Sequence, residues 1–263
     1  MQLGLIGYGA IGRYVHAAAT AQGHNVSALL VRPERLQDRP ADTGDMRCVD
    51  RVADLIVGTD HVIDCAGHAA LAAFGPDVLR AGFDLTTVSV GALADPQLFA
   101  SLDNAARDGT STLHLASGAI GALDCLRAAR AGGLDSVTYV GRKPPKGWRG
   151  SPAEQHLDLD ALADEPATHF TGCAREAAVR YPKNANVAAA VALAGIGFDA
   201  TQVELVADPT VSENIHELRA SGAFGSFQFE IRGRALPDNP RSSALAAMSV
   251  VSKLEQHVAR IVI

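Results

Sequence analysis

No stretch of this 263-residue chain offers the roughly 20 consecutive apolar residues that a membrane-spanning helix requires. An excess of positive charge is missing too: 23 Lys and Arg stand against 29 Asp and Glu, a formal net charge of −6. The clustered cations that a phosphate backbone demands are therefore lacking, and nucleic acid is excluded as a partner. A local basic pocket for a small anionic substrate is not excluded. Cys48, Cys65, Cys125 and Cys173 form no C-x-x-C pair, so free thiols in a reducing cytoplasm are the simplest account. His16 and His24 are too far apart for one helical face, and Cys and His never cluster at ligand spacing. No metal site is expected. No G-x-S-x-G elbow is present for acyl transfer. Asp158 and Asp160 lie in a polar acidic stretch that reads as solvated. The amino terminus runs straight into an apolar strand without a charged leader, so a soluble, cytoplasmic protein with no membrane partner is expected.

Aromatics make up only 5 % of the chain, whereas apolar residues make up 48 %. That composition favours close-packed helices over an all-β sandwich and is ample for a buried core. In the first half, short apolar runs alternate with helical patterns. Strands are expected at 3–6, 26–31, 46–49, 61–65, 85–88 and 112–116, with helices at 10–20, 51–57, 69–81 and 96–107. Six strands with helical crossovers imply an α/β fold with a doubly wound parallel Rossmann sheet.

Past Ser117 the rhythm changes. Helices are expected at 120–131, 174–179 and 187–193, and strands at 136–141, 203–207, 215–221 and 226–231. The last alternates Phe227, Phe229 and Ile231 against polar neighbours, the mark of a strand with one wet face. From Ser242 a helix returns, with Leu245, Met248, Val251, Leu254 and Val258 at three- and four-residue steps. The expected division is a dinucleotide-binding domain at 1–117, with 237–263 packing back on it. A second, α+β domain at 118–236 is expected to serve substrate binding, catalysis and dimerisation.

The strongest local motif is Gly7-Tyr8-Gly9-Ala10-Ile11-Gly12, placed after an apolar strand and at the opening of a helix. Gly7 permits the tight turn, Gly9 lets backbone approach a pyrophosphate, and Gly12 lets the helix pack on its strand. The N–H groups around Ala10 and Ile11 then face the phosphates. An NAD-specific site would carry an acidic residue about 20 positions on. Here the second strand ends at Arg32 instead, whose guanidinium attracts a 2′-phosphate. NADP is expected to be accepted as well as NAD; the alternative is that Arg32 is a solvated surface charge.

The carboxy-terminal half holds an ordered series of short motifs. They are Arg142-Lys143-Pro144-Pro145, Tyr181-Pro182-Lys183-Asn184-Ala185-Asn186-Val187-Ala188-Ala189, Ala207-Asp208-Pro209, Asn214-Ile215-His216-Glu217, Gly222-Ala223-Phe224-Gly225 and Asn239-Pro240-Arg241-Ser242-Ser243. Together with Ala116-Ser117-Gly118-Ala119-Ile120-Gly121, and over essentially the whole chain, the series resembles the L-aspartate dehydrogenases. The resemblance implies oxidation of L-aspartate to iminoaspartate with NAD or NADP. Iminoaspartate then hydrolyses to oxaloacetate and ammonia or feeds NAD biosynthesis. It also implies a catalytic histidine at His216. Contacts to the nicotinamide side of the cofactor are implied at Ala119 and Asn186, with Asn184 the less favoured asparagine. A homodimer is the usual expectation for such folds.

The residues themselves support that chemistry in outline. Imidazole suits proton handling near neutral pH, and Asp208, Glu213 and Asn214 are candidates to orient His216 or to raise its pKa. Two substrate carboxylates call for cations. Lys183 flanks the asparagine segment, and Arg142, Lys143, Lys146 and Arg149 form the one dense basic cluster, a candidate clamp or lid. His68 and Ser89 follow strands at the edge where doubly wound sheets bind ligands, so both are candidates to line the pocket. Two other readings stay open at this point: a two-domain dehydrogenase or reductase for homoserine or a dihydrodipicolinate-like substrate, and a non-catalytic dinucleotide-binding redox sensor.

Overall fold

The computed structural model describes residues 1–36, 41–182, 186–237 and 239–261. The chain divides into two compact units, Met1–Ala116 with Ala246–Ile263, and Ser117–Leu245.

The first unit opens with β1 (Gln2–Ile6), α1 (Ala10–Ala21), β2 (Asn25–Leu30), β3 (Arg47–Val49) and α2 (Val52–Leu55). It continues through β4 (His61–Asp64), α3 (His68–Arg80), β5 (Leu85–Thr87), α4 (Pro96–Gly109) and β6 (Leu113–Leu115). The six strands form one sheet in the order β3-β2-β1-β4-β5-β6, with every neighbouring pair parallel. Strand order reverses between β1 and β4, which opens the crevice where such sheets take ligands. Apolar residues on both faces of β1 and β4 are buried because a parallel sheet is covered on both sides. The helix expected at 51–57 shrinks to the four residues of α2, since Gly58 adopts φ +70° soon after and turns the chain.

The second unit begins with α5 (Leu123–Gly132), β7 (Leu134–Lys143), β8 (Ala167–Cys173), α6 (Ala174–Arg180) and α7 (Asn186–Ala194). Then come β9 (Gln202–Ala207), β10 (Asn214–Gly222), β11 (Gly225–Gly233), β12 (Ala235–Leu236) and β13 (Asn239–Ser243). Five of these strands build a mixed sheet in the order β11-β10-β7-β9-β8. The hairpin expected at Gly222 and Gly225 is present, with those two residues paired across it. α7 is apolar on every side and buried almost throughout, as such a composition requires. β8 has no counterpart among the strands expected from sequence. Its register against β9 shifts between Thr168 and Phe170, so two-residue alternation breaks at His169.

The final helix, α8 (Ala244–Val258), places Val250, Val251 and Leu254 in the core of the first unit beside Leu3, Leu5, Val15, Leu29 and Ile63. No helix among the described residues is long and apolar enough to cross a membrane.

Candidate active site

The glycine loop follows β1 directly. Gly7 sits at φ +85°, and a Cβ there would lie 2.6 Å from the Cβ of Ala66. A Cβ on Gly12 would lie 2.5 Å from the Gly7 carbonyl oxygen. Both glycines are therefore fixed by packing. Gly9 is different: no atom of the described residues lies within 4 Å of where its Cβ would be. It caps α1 without a side-chain hydrogen bond, and no acidic residue occupies the first turn. The first-turn amides of α1 thus lie at the positive end of a helix dipole, with open space at Gly9 and no acidic side chain beside them, a fit for pyrophosphate. Arg32 is exposed just past the end of β2, the strand beside β1, where the adenosine ribose of a dinucleotide would lie.

Beneath this loop, at the end of β4, stands a fully buried carboxylate that no sequence motif announces. Asp64 Oδ1 accepts from the Ala66 amide at 2.9 Å, while Oδ2 accepts from Thr87 Oγ1 at 2.8 Å and Ser89 Oγ at 2.9 Å. Burial raises its pKa against the pull of those donors. The network ties the turn after β4 to the turn after β5. It also corrects the expectation for Ser89, which is 1 % exposed and donates to Asp64 rather than lining a pocket. His68, the first residue of α3, is half-buried and near enough to Asp64 to draw its pKa down.

In the second unit the chemistry gathers on one face of β7 and β10. His216 pairs with Gly141 on β7 and with Ile231 on β11, so no side chain on the β7 side stands opposite its imidazole. The flanking positions on that face are Tyr139 and Lys143. Tyr139 OH lies 2.8 Å from His216 Nδ1. A Cβ on Gly141 would come within 2.8 Å of that hydroxyl, so glycine is what leaves room for the contact. Burial, and then the Lys143 charge, push the His216 pKa down to about 3. Burial likewise brings Lys143 down to about 8 and raises Tyr139, which stays a phenol. The result is a neutral imidazole held by a phenol, beside an amine that titrates near working pH.

These neighbours differ from the expected ones. Asp208 does not orient His216: its Oδ1 accepts from the Thr210 amide at 2.8 Å, and its Oδ2 accepts from Arg142 Nη1 at 2.7 Å. Burial pushes the Asp208 carboxyl up, but Thr210 and Arg142 more than offset this and its pKa falls. Nor do Arg142 and Lys143 act as one clamp. Adjacent on a strand, they point to opposite faces, and Arg142 is committed to Asp208. The loop at 142–150 is anchored rather than free. Trp148 is 1 % exposed, donates from Nε1 to the Val206 carbonyl at 2.9 Å, and carries Lys143 Nζ 5.0 Å from its ring centroid. Arg149 pairs with Asp160 at the surface, and Lys146 is exposed.

Likeness to known families, proteins and structures extends over nearly the whole chain. Residues 124–257 match the family model described as aspartate dehydrogenase, C-terminal, and residues 7–116 match that of the homoserine dehydrogenase NAD binding domain. The L-aspartate dehydrogenase of Ruegeria pomeroyi is 54 % identical over 261 residues, covering 99 % of this chain and 94 % of that one. The chain belongs to the L-aspartate dehydrogenase family. The L-aspartate dehydrogenase of Ralstonia pickettii is 45 % identical over 97 % of this chain and 96 % of its own length. The crystal structure of the family's Thermotoga maritima member superposes with a TM-score of 0.79 at 25 % identity, covering 100 % of this chain and 99 % of that one.

Of the residues that the family resemblance singles out, Ala119 is buried in the link before α5, and Asn186 is the half-buried first residue of α7. Lys183 and Asn184 lie outside the described residues. Tyr139 and Asp64 are the site residues that sequence reasoning misses. For Asp64 a signal exists, a lone carboxylate closing an apolar strand. For Tyr139 none does before the strands are paired.

Proposed function

We propose that this chain is an NAD(P)-dependent L-aspartate dehydrogenase, converting L-aspartate through iminoaspartate to oxaloacetate and ammonia. The observation that carries the reading is the His216–Tyr139–Lys143 group in a chain that aligns almost end to end with L-aspartate dehydrogenases. The nicotinamide cofactor, held by the Gly7–Gly12 loop with Arg32 toward its adenosine end, supplies the acceptor for the hydride leaving Cα. Ala119 and Asn186 are assigned to its nicotinamide side.

His216 takes the role of general base, removing a proton from the substrate ammonium or from the water that adds to the imine. Being neutral, it is ready to accept. The two substrate carboxylates stabilise the imidazolium and so raise its basicity. With Nδ1–H donating to the Tyr139 oxygen, the ring is fixed and the Nε2 lone pair is left for the reacting proton. Lys143 is assigned to a substrate carboxylate, with Lys183 and His68 as further candidates. Arg32 supports acceptance of NADP alongside NAD. The same reading takes the protein to be cytoplasmic and its iminoaspartate to be usable for pyridine nucleotide synthesis. It takes the assembly to be a homodimer through the second unit, a choice supported by the half-buried Phe227, Phe229 and Ile231 on the edge strand β11.

The test is an absorbance assay of NAD(P)H formation with L-aspartate, L-glutamate, L-alanine and D-aspartate. L-aspartate is expected to be the preferred substrate. His216→Ala is expected to lower turnover by about 10² or more with coenzyme affinity retained, the usual scale of general-base effects. Near-normal turnover in that variant, or no preference for L-aspartate, would sink the proposal.

A further inference from the structure

The parallel sheet of the first unit has two edges. The glycine loop and Asp64 occupy the one where strands end. At the other, where strands begin, four ionisable side chains from separate elements converge. His61 opens β4, Asp84 immediately precedes β5, His114 lies in β6, and His257 lies in the last turn of α8. The His61 and His257 ring centroids are 4.7 Å apart, those of His114 and His257 5.4 Å, and those of His61 and His114 5.9 Å. Asp84 Oδ2 is 3.2 Å from His114 Nε2 and 3.9 Å from His257 Nδ1, while Oδ1 accepts from the Thr112 amide at 2.7 Å. One ligand atom from each of His61, Asp84 and His257 lies within 4.8 Å of the others.

His61 decides what this cluster is for. Its ring is wholly buried; Nε2 sits 2.8 Å from Thr86 Oγ1, and Nδ1 has no hydrogen-bond partner among the described residues. Buried polar atoms are rarely left in that state. With the Nε2 proton donated to Thr86, the Nδ1 lone pair is unused. This is the arrangement by which an outer partner orients a metal-bound histidine and fixes its tautomer. A simple His–Asp ion pair would account for His114 and Asp84 but would leave His61 Nδ1 orphaned and three imidazoles crowded together.

We propose that His61, Asp84 and His257 bind a divalent cation of the zinc class, with His114 orienting the Asp84 carboxylate. Two imidazoles and one carboxylate suit zinc and its late first-row neighbours, whereas calcium and magnesium prefer all-oxygen shells. Donors on one tetrahedral ion at about 2.0–2.2 Å stand about 3.3–3.6 Å apart, so the partly exposed Asp84 and His257 would have to close in on buried His61 when the ion binds. The fourth position falls to water. Set at the opposite edge from the dinucleotide loop, the ion would fasten the end of α8 to the starts of β4 and β5. Its role is structural. No spacing rule finds it, because its ligands are scattered along the chain.

The experiment uses tag-free, full-length protein stripped with EDTA, then loaded with zinc chloride and desalted. One zinc per chain is expected by elemental analysis. With free zinc at 100 times its Kd, the melting temperature is expected to rise by about 5 °C or more over the EDTA sample. His257→Gln and Asp84→Asn should each abolish both effects while leaving NADH affinity unchanged. His257 and Asp84 are each partly exposed, so these variants are chosen over a change at buried His61. Should a variant prove less stable in EDTA, its retained zinc still decides the matter. Retention below about 0.1 zinc per chain in the parent protein, or equal retention in parent and variants, overturns the site.

Discussion

A single hydrogen atom separates the observed environment of His216 from a disrupted one. Gly141 stands opposite the imidazole, and the Tyr139 hydroxyl occupies the space its side chain would need. Gly141→Ala is therefore expected to push that hydroxyl from Nδ1, lowering kcat about tenfold or more while the KM for coenzyme holds. Steady-state kinetics check this, and Tyr139→Phe should give the same pattern. Overpacking of this kind costs about 1–3 kcal/mol of stability, measurable by urea denaturation. An unchanged kcat in both variants would remove Tyr139 from the site. At this scale the sequence is legible where motifs are continuous. Gly7, Gly9 and Gly12 declare themselves by spacing, and His216 by its place in an ordered series. Tyr139 and His216 are 77 positions apart, and only the pairing of β7 with β10 joins them. The same holds for Arg142 and Asp208: sequence shows two charges but not that they neutralise each other.

Elements repeat the lesson with different physics. The strands and helices of the first unit keep to apolar periods closely enough to be placed within a residue or two, because each is covered on defined faces. β8 escapes notice because the irregularity at His169 breaks its alternation. The segment at 142–150 looks like a solvated basic loop because one buried tryptophan is a weak signal among four cations. Coenzyme choice belongs to this scale too, since it depends on the residues just past the end of β2. Arg32→Asp is expected to lower the NADP-to-NAD ratio of kcat/KM by about tenfold or more, as a carboxylate repels the 2′-phosphate that guanidinium attracts. An unaltered ratio would return Arg32 to the surface charges.

For the molecule as a whole, the buried imidazoles set the response to acid. Burial holds His216 at about 3, and burial with help from His156 and Lys143 holds His169 at about 4, against 6.5 in the unfolded chain. Between those limits the unfolded state binds more protons, so stability climbs with pH by about 1.4 kcal/mol per unit for each group and levels off above about 6.5. His61, held at about 3 by burial and by the neighbouring His257 and His114, adds to the slope, whereas Asp64, raised by burial, opposes it just above its ordinary range. Denaturation curves from about pH 4 to about pH 7 should show that rise, and a His169→Gln variant should flatten it. A profile without slope would mean that these rings are charged in the folded protein.

The first unit is written in two instalments. Its sheet is finished by Leu115, yet Val250, Val251 and Leu254, which cover part of its apolar face, are encoded more than a hundred codons later. On the ribosome, the strands that cradle the nucleotide must wait bare on that side while the entire intervening unit is translated. α8 is thus the latch of the first structure begun, and a message cut short just before it would release a chain with the strands of both halves spelled out and one half unsealed.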